Sequence, residues 1–398
     1  MNTMTLRALP AILLAVFSGA ASAAAFQNWE QNAAGLGNAH AGSAAVADNA
    51  ASLFFNPAGM TRLDGVQFSA GITGARPQVE FDNGGSAGAA LGAGNGGDAG
   101  RWLAVPNASV SWRVNPDLAI GLGLTSPFAL DLEYENRNWL GRVHAQQGEI
   151  RTRNVNPALA YRVSERVSIG LGVNYQSLDV DLANATSRLE GDDGSWGWNA
   201  GALFTLSPAM RVGISYRSAI KHELEGTANG QAARADIKLP DTAILSVWQQ
   251  VSDRWEAMGD LSYTRWNTLK RLSFVDRNSG ALLANEPFSY GNSWRFAWGA
   301  AYRLSDAFKL KFGLAYERSP VGNRGRTAYV PDSDSLRLSV GGQWQAGRYG
   351  RVDVGYAYLL MKDAKIAQNR VVGGLANTLR GEYEAGMHTV GVQYSVGF

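Results

Sequence analysis

Along most of the chain, bulky apolar residues take every second position. Val390, Val392, Tyr394, Val396 and Phe398 alternate with Thr389, Gly391, Gln393, Ser395 and Gly397. Successive side chains of a strand point to opposite faces, so the alternation builds one apolar face and one small or polar face. It recurs at Leu118 to Leu124, Val167 to Tyr175, Phe308 to Tyr316, Leu336 to Val340 and Val352 to Tyr358. Runs of this kind approach the roughly nine to eleven residues that a tilted strand needs to cross a bilayer. Fourteen strands are predicted, at 66–81, 101–115, 118–129, 143–163, 167–183, 196–206, 210–225, 236–251, 255–274, 288–304, 307–319, 334–346, 350–364 and 382–397.

Two kinds of connection separate them. Short polar turns fall at Asn115-Pro116, Ser164-Glu165, Ser207-Pro208, Ser252-Asp253, Ser305-Asp306 and Gly347-Arg348, each pair spaced by two strands and one longer loop. Long loops are expected at 82–100, 184–195, 276–286 and 320–332. Short turns at one end and long loops at the other describe a bacterial outer-membrane β-barrel with an even strand number.

The faces also distinguish it from a soluble barrel. Arg211, Arg217, Arg295, Arg303, Lys309, Lys311, Arg337 and Asp353 lie opposite the apolar residues of their own strands. So many charges on one face cannot fill a dry core, and that face must be the lumen. Trp112, Tyr161, Phe204, Trp255, Tyr302, Trp344 and Phe398 fall near the short-turn ends, where an aromatic girdle is expected.

The first residues read differently. Arg7, the apolar run Leu9 to Phe17 and the small residues Ala21-Ser22-Ala23 make residues 1–23 a signal peptide, too short in its apolar part to span a membrane. The mature chain is expected to begin near Ala24, almost neutral, since 36 basic face 34 acidic residues and only Arg7 leaves with the leader. Nothing in that balance points to nucleic acid. An exported chain with no cysteine has no disulfide or thiolate site.

Residues 24–62 do not alternate. In "SLFFNPAGM", Asn56-Pro57 ends any helix running through Phe54 and Phe55, and Asp48 stands where it would cap that helix. So small a segment cannot bury its own core. It either remains a periplasmic tail or folds inside the lumen.

Phe26, Gly35-Leu36-Gly37, Ala41-Gly42, Ala47-Asp48 and Asn56-Pro57-Ala58 resemble the N-terminal hatch of the FadL family of outer-membrane transporters for long-chain fatty acids and other hydrophobic compounds. Further similarity lies in "NPALAYR" at 156–162, "WGWNAG" at 196–201, "YRS" at 216–218 and "ERSPVGNRGRTAYVPDSDSLRLSVG" at 317–341. The resemblance implies an all-β fold: a fourteen-stranded antiparallel transmembrane β-barrel over 63–398, plugged by a small hatch over 24–62. It implies capture of a lipophilic substrate among extracellular loops, transfer to a pocket above the hatch and lateral exit through a kinked third strand. Long-chain fatty acids are the first expected substrate, and aromatic hydrocarbons the alternative within the same fold. An outer-membrane lipase and an open diffusion porin are the readings outside it.

The expected substrate-binding residues are Phe26, Phe54, Phe55, Phe128, Leu130, Leu132 and Trp139, with Arg188 and Arg295 as basic partners for a carboxylate. Gly291 stands near the place where the resemblance implies a basic residue. Gating is expected at Asn56, Pro57 and Ala58, with Asn56 bonding toward the kinked wall, and at Gly121, Gly123 and Pro127, because proline and glycine weaken a strand ladder. The expected partners are a hydrophobic small molecule, outer-membrane lipid and lipopolysaccharide, and the barrel-assembly machinery through Phe398, with the protein a monomer.

No cofactor, metal or catalytic residue is expected. Gly92, Gly94 and Gly97 fit GxGxxG without a strand-turn-helix unit around them. His40, His144, His222 and His388 form no HExxH pair, no GxSxG elbow occurs, and Asp332 and Asp334 lack the remaining ligands of a calcium loop.

Overall fold

The computed structural model describes residues 25–323 and 325–398, so the leader expected over 1–23 lies outside the described residues. The wall is one closed antiparallel sheet. Its strands are β1 (Val66–Asn83), β2 (Leu103–Arg113), β3 (Leu118–Thr125), β4 (Gln147–Ser164), β5 (Val167–Asn184), β6 (Ser187–Ser207), β7 (Met210–Arg217), β8 (Thr242–Gln250), β9 (Trp255–Thr264), β10 (Ser293–Arg303), β11 (Phe308–Arg318), β12 (Ser335–Gln345), β13 (Arg351–Met361) and β14 (Leu375–Gly397). Each pairs with the next, and β1 closes the ring on β14 from Gln67↔Gly397 to Asn83↔Gly381. Six shorter segments extend the wall above β3, β7, β8, β9, β10 and β13.

The burial pattern inverts along the longest strands. Low on β4, β5 and β6 the outward residues are apolar and exposed, among them Leu159, Ile169, Leu171, Val173, Tyr175, Trp196 and Trp198, while Asn156, Asn174 and Asn199 face inward and are buried. Higher up, Arg151, Arg153, Asp179 and Arg188 face outward, and Ile150, Leu178, Val180, Leu182 and Leu189 are buried inside. The lower part therefore has the exterior of a membrane protein and the upper part that of a soluble one. The change of sign places the membrane surface between Tyr175 and Asp179.

This inversion corrects two expected loops. Residues 184–195 belong to a β5–β6 hairpin with a turn at 185–186, and 276–286 lie mostly in a hairpin pairing Arg271–Asp276 with Leu282–Pro287. Their outward polar residues face water rather than lipid. The expected strands at 210–225, 236–251 and 255–274 are each interrupted, at 218–219, 240–241 and 265–270.

Residues 25–63 run inside the ring and are largely buried. They form a short helix, α1 (Ala33–Leu36), and two 3-10 helices, Ala50–Leu53 and Pro57–Arg62. Asn49, not Asp48, caps the first 3-10 helix, accepting from Ala51 N–H at 2.9 Å, while Asp48 pairs with Arg351 at 3.4 Å. Pro57 begins a helix rather than only ending one, since its missing N–H costs nothing in the first turn.

The inward glycines explain how so much chain fits. A Cβ on Gly213 would stand 1.9 Å from Ala44 O, one on Gly313 2.2 Å from the Asn38 carbonyl carbon, and one on Gly170 2.4 Å from Ala58 N. The N-terminal backbone thus packs directly on the wall backbone. Gly213→Leu is expected to leave a heat-modifiable barrel on gel electrophoresis but to raise its ion conductance in planar bilayers, because the displaced segment no longer fills the lumen.

Candidate functional site

The third strand breaks at Ser126-Pro127-Phe128. Thr125 pairs with Asn154 and Ala129 with Arg151, so one extra residue on this strand is bulged out opposite β4. Proline lacks a ladder donor, and the Thr152 side chain takes over part of the pairing: it donates to Phe128 O at 2.8 Å and accepts from Phe128 N–H at 2.9 Å. On the other edge, the β2–β3 ladder stops at Ala108↔Leu124 and resumes only as an isolated bridge, Gly100↔Leu132. Between them the wall has a window.

The N-terminal residues occupy the place that β2 vacates. Gln27 bridges Phe128, Asn28 N–H donates to Pro127 O at 2.8 Å, and Ala129 N–H donates to Phe26 O at 3.0 Å. Side chains reinforce this, with Asn28 Nδ2 and Gln31 Nε2 both donating to Ser126 O, at 3.1 and 2.9 Å. Phe26 is buried, edge-on to Trp266 at 4.9 Å and to Phe128 at 6.1 Å. At the tip of the segment, Ala25 N–H donates to Asp332 Oδ2 at 2.8 Å, and that oxygen also accepts from Ser319 Oγ at 2.5 Å.

A cavity of about 160 Å³ lies beside this contact, reaching the window at Gly100, Leu103 and Leu130 and running inward to Val79, Leu359 and Met361. Its lining is mostly apolar. Trp29 floors it, with Nε1 donating to Glu317 at 2.9 Å, and Arg337 beside it binds Glu30. A smaller cavity of about 30 Å³ on the other side of the N-terminal residues is lined by Phe54, Phe55, Pro127 and Phe128.

The expected site residues divide among these places. Phe26, Leu130 and Leu132 line the larger cavity, and Phe54, Phe55 and Phe128 the smaller. Trp139 lies in the roof, stacked on Tyr134 at 3.9 Å, and lines neither cavity. Arg188 stands on the outer surface, paired with Asp181 and Glu190, and cannot reach a ligand inside. Arg295 lies deeper, donating to Ala39 O with its guanidinium 4.5 Å over the Trp29 ring. Gly121 and Gly123 sit in regular register rather than at the break, and a Cβ on either would strike Leu53 of the N-terminal segment. The kink is carried by Pro127 and its neighbours.

Asn56 bonds to a different wall from the one expected. Its Nδ2 donates to Ala44 O at 2.8 Å and to Ala202 O on β6 at 3.0 Å, and its Oδ1 accepts from Ala58 N–H at 3.0 Å. Alternation marked Arg337 only as a lumen-facing charge and Asp332 only as an incomplete calcium ligand, and gave no signal for Trp29 or Glu317; their partners come together from the two ends of the chain.

The four histidines are dispersed: His40 packs on Phe55, His144 is buried in the roof, His222 binds Asp193 and His388 binds Tyr356. Among the described residues there is no group of three side chains suited to a metal ion.

Burial pushes the Asp332 carboxyl up to about 8; Glu317 adds to the rise, while Ser319, Ala25 N–H and Arg326 oppose it. The folded state thus favours the protonated acid, although the Ala25 N–H bond taken alone favours the carboxylate. The stability contribution is full below the ordinary carboxyl value of about 4 and is lost as pH rises through 8. Amide protection of residues 319–323 and 325–334, around the buried acid, is therefore expected to fall between pH 5 and pH 9, and Asp332→Asn to flatten that dependence; equal protection at both pH values in the native protein would refute it. Asn56→Ala, which leaves buried carbonyls unpaired, is expected to weaken protection of residues 44–58 by about 2 kcal/mol without altering that of β4 to β6.

Residues 14–398 match the family model described as Outer membrane protein transport protein (OMPP1/FadL/TodX). The chain is 30% identical over 425 residues to Outer membrane protein P1 of Haemophilus influenzae, covering 91% of each. It is 27% identical over 424 residues to the Long-chain fatty acid transport protein of Escherichia coli K12, covering 92% of this chain and 94% of that one. Among solved structures, a Pseudomonas aeruginosa FadL homologue superposes with a TM-score of 0.87 at 21% identity, over 94% of this chain and 100% of that one.

Proposed function

Because the chain belongs to the OMPP1/FadL/TodX family of outer membrane transport proteins, we propose that it carries a hydrophobic compound into the outer membrane through the window between β2 and β3. It is a transport channel of the bacterial outer membrane, not an enzyme. Long-chain fatty acids and aromatic hydrocarbons are the substrate classes of its family.

One observation carries the proposed route: residues 26–28 stand in for β2 against the bulged end of β3, at the mouth of an apolar cavity. Few hydrogen bonds hold this contact compared with a full ladder. When it opens, the cavity joins the lipid-facing side of the wall without opening an axial pore, because residues 33–62 still fill the lumen below. A lipophilic solute gains little from a water-filled path and much from one that ends in hydrocarbon. On this reading residues 24–62 are the hatch, Phe26 and Pro127 the moving contact, and Asn56-Pro57-Ala58 its fixed base.

Outward-facing Trp102, Trp196, Trp198 and Trp294, exposed at the upper membrane surface, suit contact with lipid and lipopolysaccharide head groups. Phe398, 82% exposed at the end of β14, suits recognition by the assembly machinery during insertion of a monomeric barrel.

Gln27 and Phe128 form a non-hydrogen-bonded antiparallel pair, the geometry in which Cα atoms come closest and disulfides form readily. The chain has no cysteine of its own. Gln27→Cys with Phe128→Cys is expected to reduce uptake of labelled oleate and toluene at least tenfold in cells lacking their own transporter, with recovery on reduction. Undiminished uptake by the oxidised protein would rule out this exit.

A further inference from the structure

The hairpin of Ile220–Ala228 and Gln231–Leu239 stands on β7 and β8, and both of its legs are broken at the same height. The lower ladder ends at Arg217↔Thr242 and the upper one begins at Ile220↔Leu239, so 218–219 and 240–241 form no ladder pair. Below the break the outer surface faces hydrocarbon, with Ile214 and Leu245 exposed, topped by the ring pairs Trp198–Tyr216 at 5.2 Å and Tyr263–Trp294 at 4.5 Å. Immediately above it the outer surface turns basic. Lys221 and Lys238 stand directly opposite each other. The neighbouring strand Arg271–Asp276 pairs with the hairpin at Arg234↔Val275, and the same register carried four residues down brings Arg271 beside Lys238. Both are exposed while Leu239 and Leu272 next to them are buried, so the two bases share the outward face. Lys270 is exposed beside Arg271, and Arg265 lies just past the end of β9 against Asp241.

Like charges directly opposite on a sheet repel, and here three bases share one row. The acids nearby do not cancel them. Glu223 and Asp236 are both taken by Lys221, at 2.7 and 3.0 Å, and Asp241 by Arg265 at 2.9 Å. Lys238, Lys270 and Arg271 have no ion pair among the described residues. Residues 1–24 and 324 contain neither aspartate nor glutamate, so no carboxylate of the chain is left uncounted. We propose that this patch docks the phosphorylated head group of lipopolysaccharide, with its phosphates on Lys238, Lys270 and Arg271 and its acyl chains descending over Trp198, Tyr216, Tyr263 and Trp294. The height fits, because head-group phosphates lie just outside the level at which interfacial aromatic rings sit. The chemistry fits as well. A guanidinium fork and an ammonium are the two side-chain groups that bind phosphate best, and attraction to an anionic membrane surface grows with each added base. A glycerophospholipid offers one phosphate to three unpaired bases, whereas the lipopolysaccharide head carries several on a rigid sugar.

The inference rests on the outer-membrane location and not on the route through the window, so its failure leaves the transport reading standing. The mature protein in detergent micelles is titrated with lipid A carrying both phosphates, with dephosphorylated lipid A and with phosphatidylglycerol, and bound lipid is read by native mass spectrometry. Phosphorylated lipid A is expected to bind at least tenfold more tightly than either of the others, and millimolar inorganic phosphate not to displace it. Lys238→Gln combined with Lys270→Gln and Arg271→Gln is expected to lose that advantage. Lys362→Gln combined with Lys365→Gln and Arg380→Gln removes the same charge from exposed positions near β13 and β14, and is expected to keep binding within twofold of the native protein. Equal binding of the two forms of lipid A by the native protein would overturn the inference, whatever the variants do. Equal loss in the two triple variants would reduce it to net charge, and phosphatidylglycerol binding as tightly would reduce it to any anionic lipid. Displacement by inorganic phosphate would leave only a site for a free anion. Each of these results overturns the assignment to lipopolysaccharide.

Discussion

The lumen of this barrel is lined with cations, and the structure depends on where their charge goes. Arg211 donates to Ala45 O and Val46 O, Arg217 to Phe54 O, Arg295 to Ala39 O and Lys311 to Ala34 O, all carbonyls of the N-terminal segment. Asp260 receives the converse donors, Gly42 N–H and the Ser43 backbone and hydroxyl. A short segment with many small residues and little regular structure has many unpaired main-chain groups, and a polar wall has many unpaired side chains. Each satisfies the other, and charge-assisted bonds of this kind are worth roughly 1.5 to 3 kcal/mol apiece. The inward glycines make the same contact possible sterically.

That arrangement leaves the extreme N-terminus as the weakly held part. Below it, main chain and side chains interlock with strands around most of the ring. Above Trp29 the segment holds to the wall chiefly through a few bonds to Ser126 and Pro127, one to Asp332 and the packing of Phe26. The proline that weakens β3 and the residues that cover the weakness are thus paired features of one element. A full β2–β3 ladder would have removed both the window and any need for residues 26–28 to close it.

Period-two alternation made the barrel legible because each wall strand separates lipid from lumen, and the strand number followed from turn spacing. It misread 184–195, where the inward face carries Leu189 but also Gly191 and Asp193, the outward face carries Glu190 and Asp192, and the strand has water outside. Alternation of opposite sign and lower contrast resembles a loop. Leu130 and Leu132 were legible as apolar residues clustered after a proline, and Phe26 through the hatch resemblance alone. Gly121 and Gly123 were marked as unusual, but what they accommodate is Leu53 on another element. Asp332 and Arg337 were not legible as site residues, because their partners Ala25 and Glu30 are each 307 positions away. Local spacing carries no trace of a pair that exists only after the ring has closed.

The seam of that ring joins β1 to β14, with Val66 N–H bonded to Phe398 O at 3.1 Å. The N-terminal segment ends two residues before β1, so it enters the lumen directly beside the strand pair that closes the ring. The backbone that packs on glycines of β5, β7 and β11 is thus anchored at the seam itself, and its travel inside the ring is limited from that end by a two-residue tether.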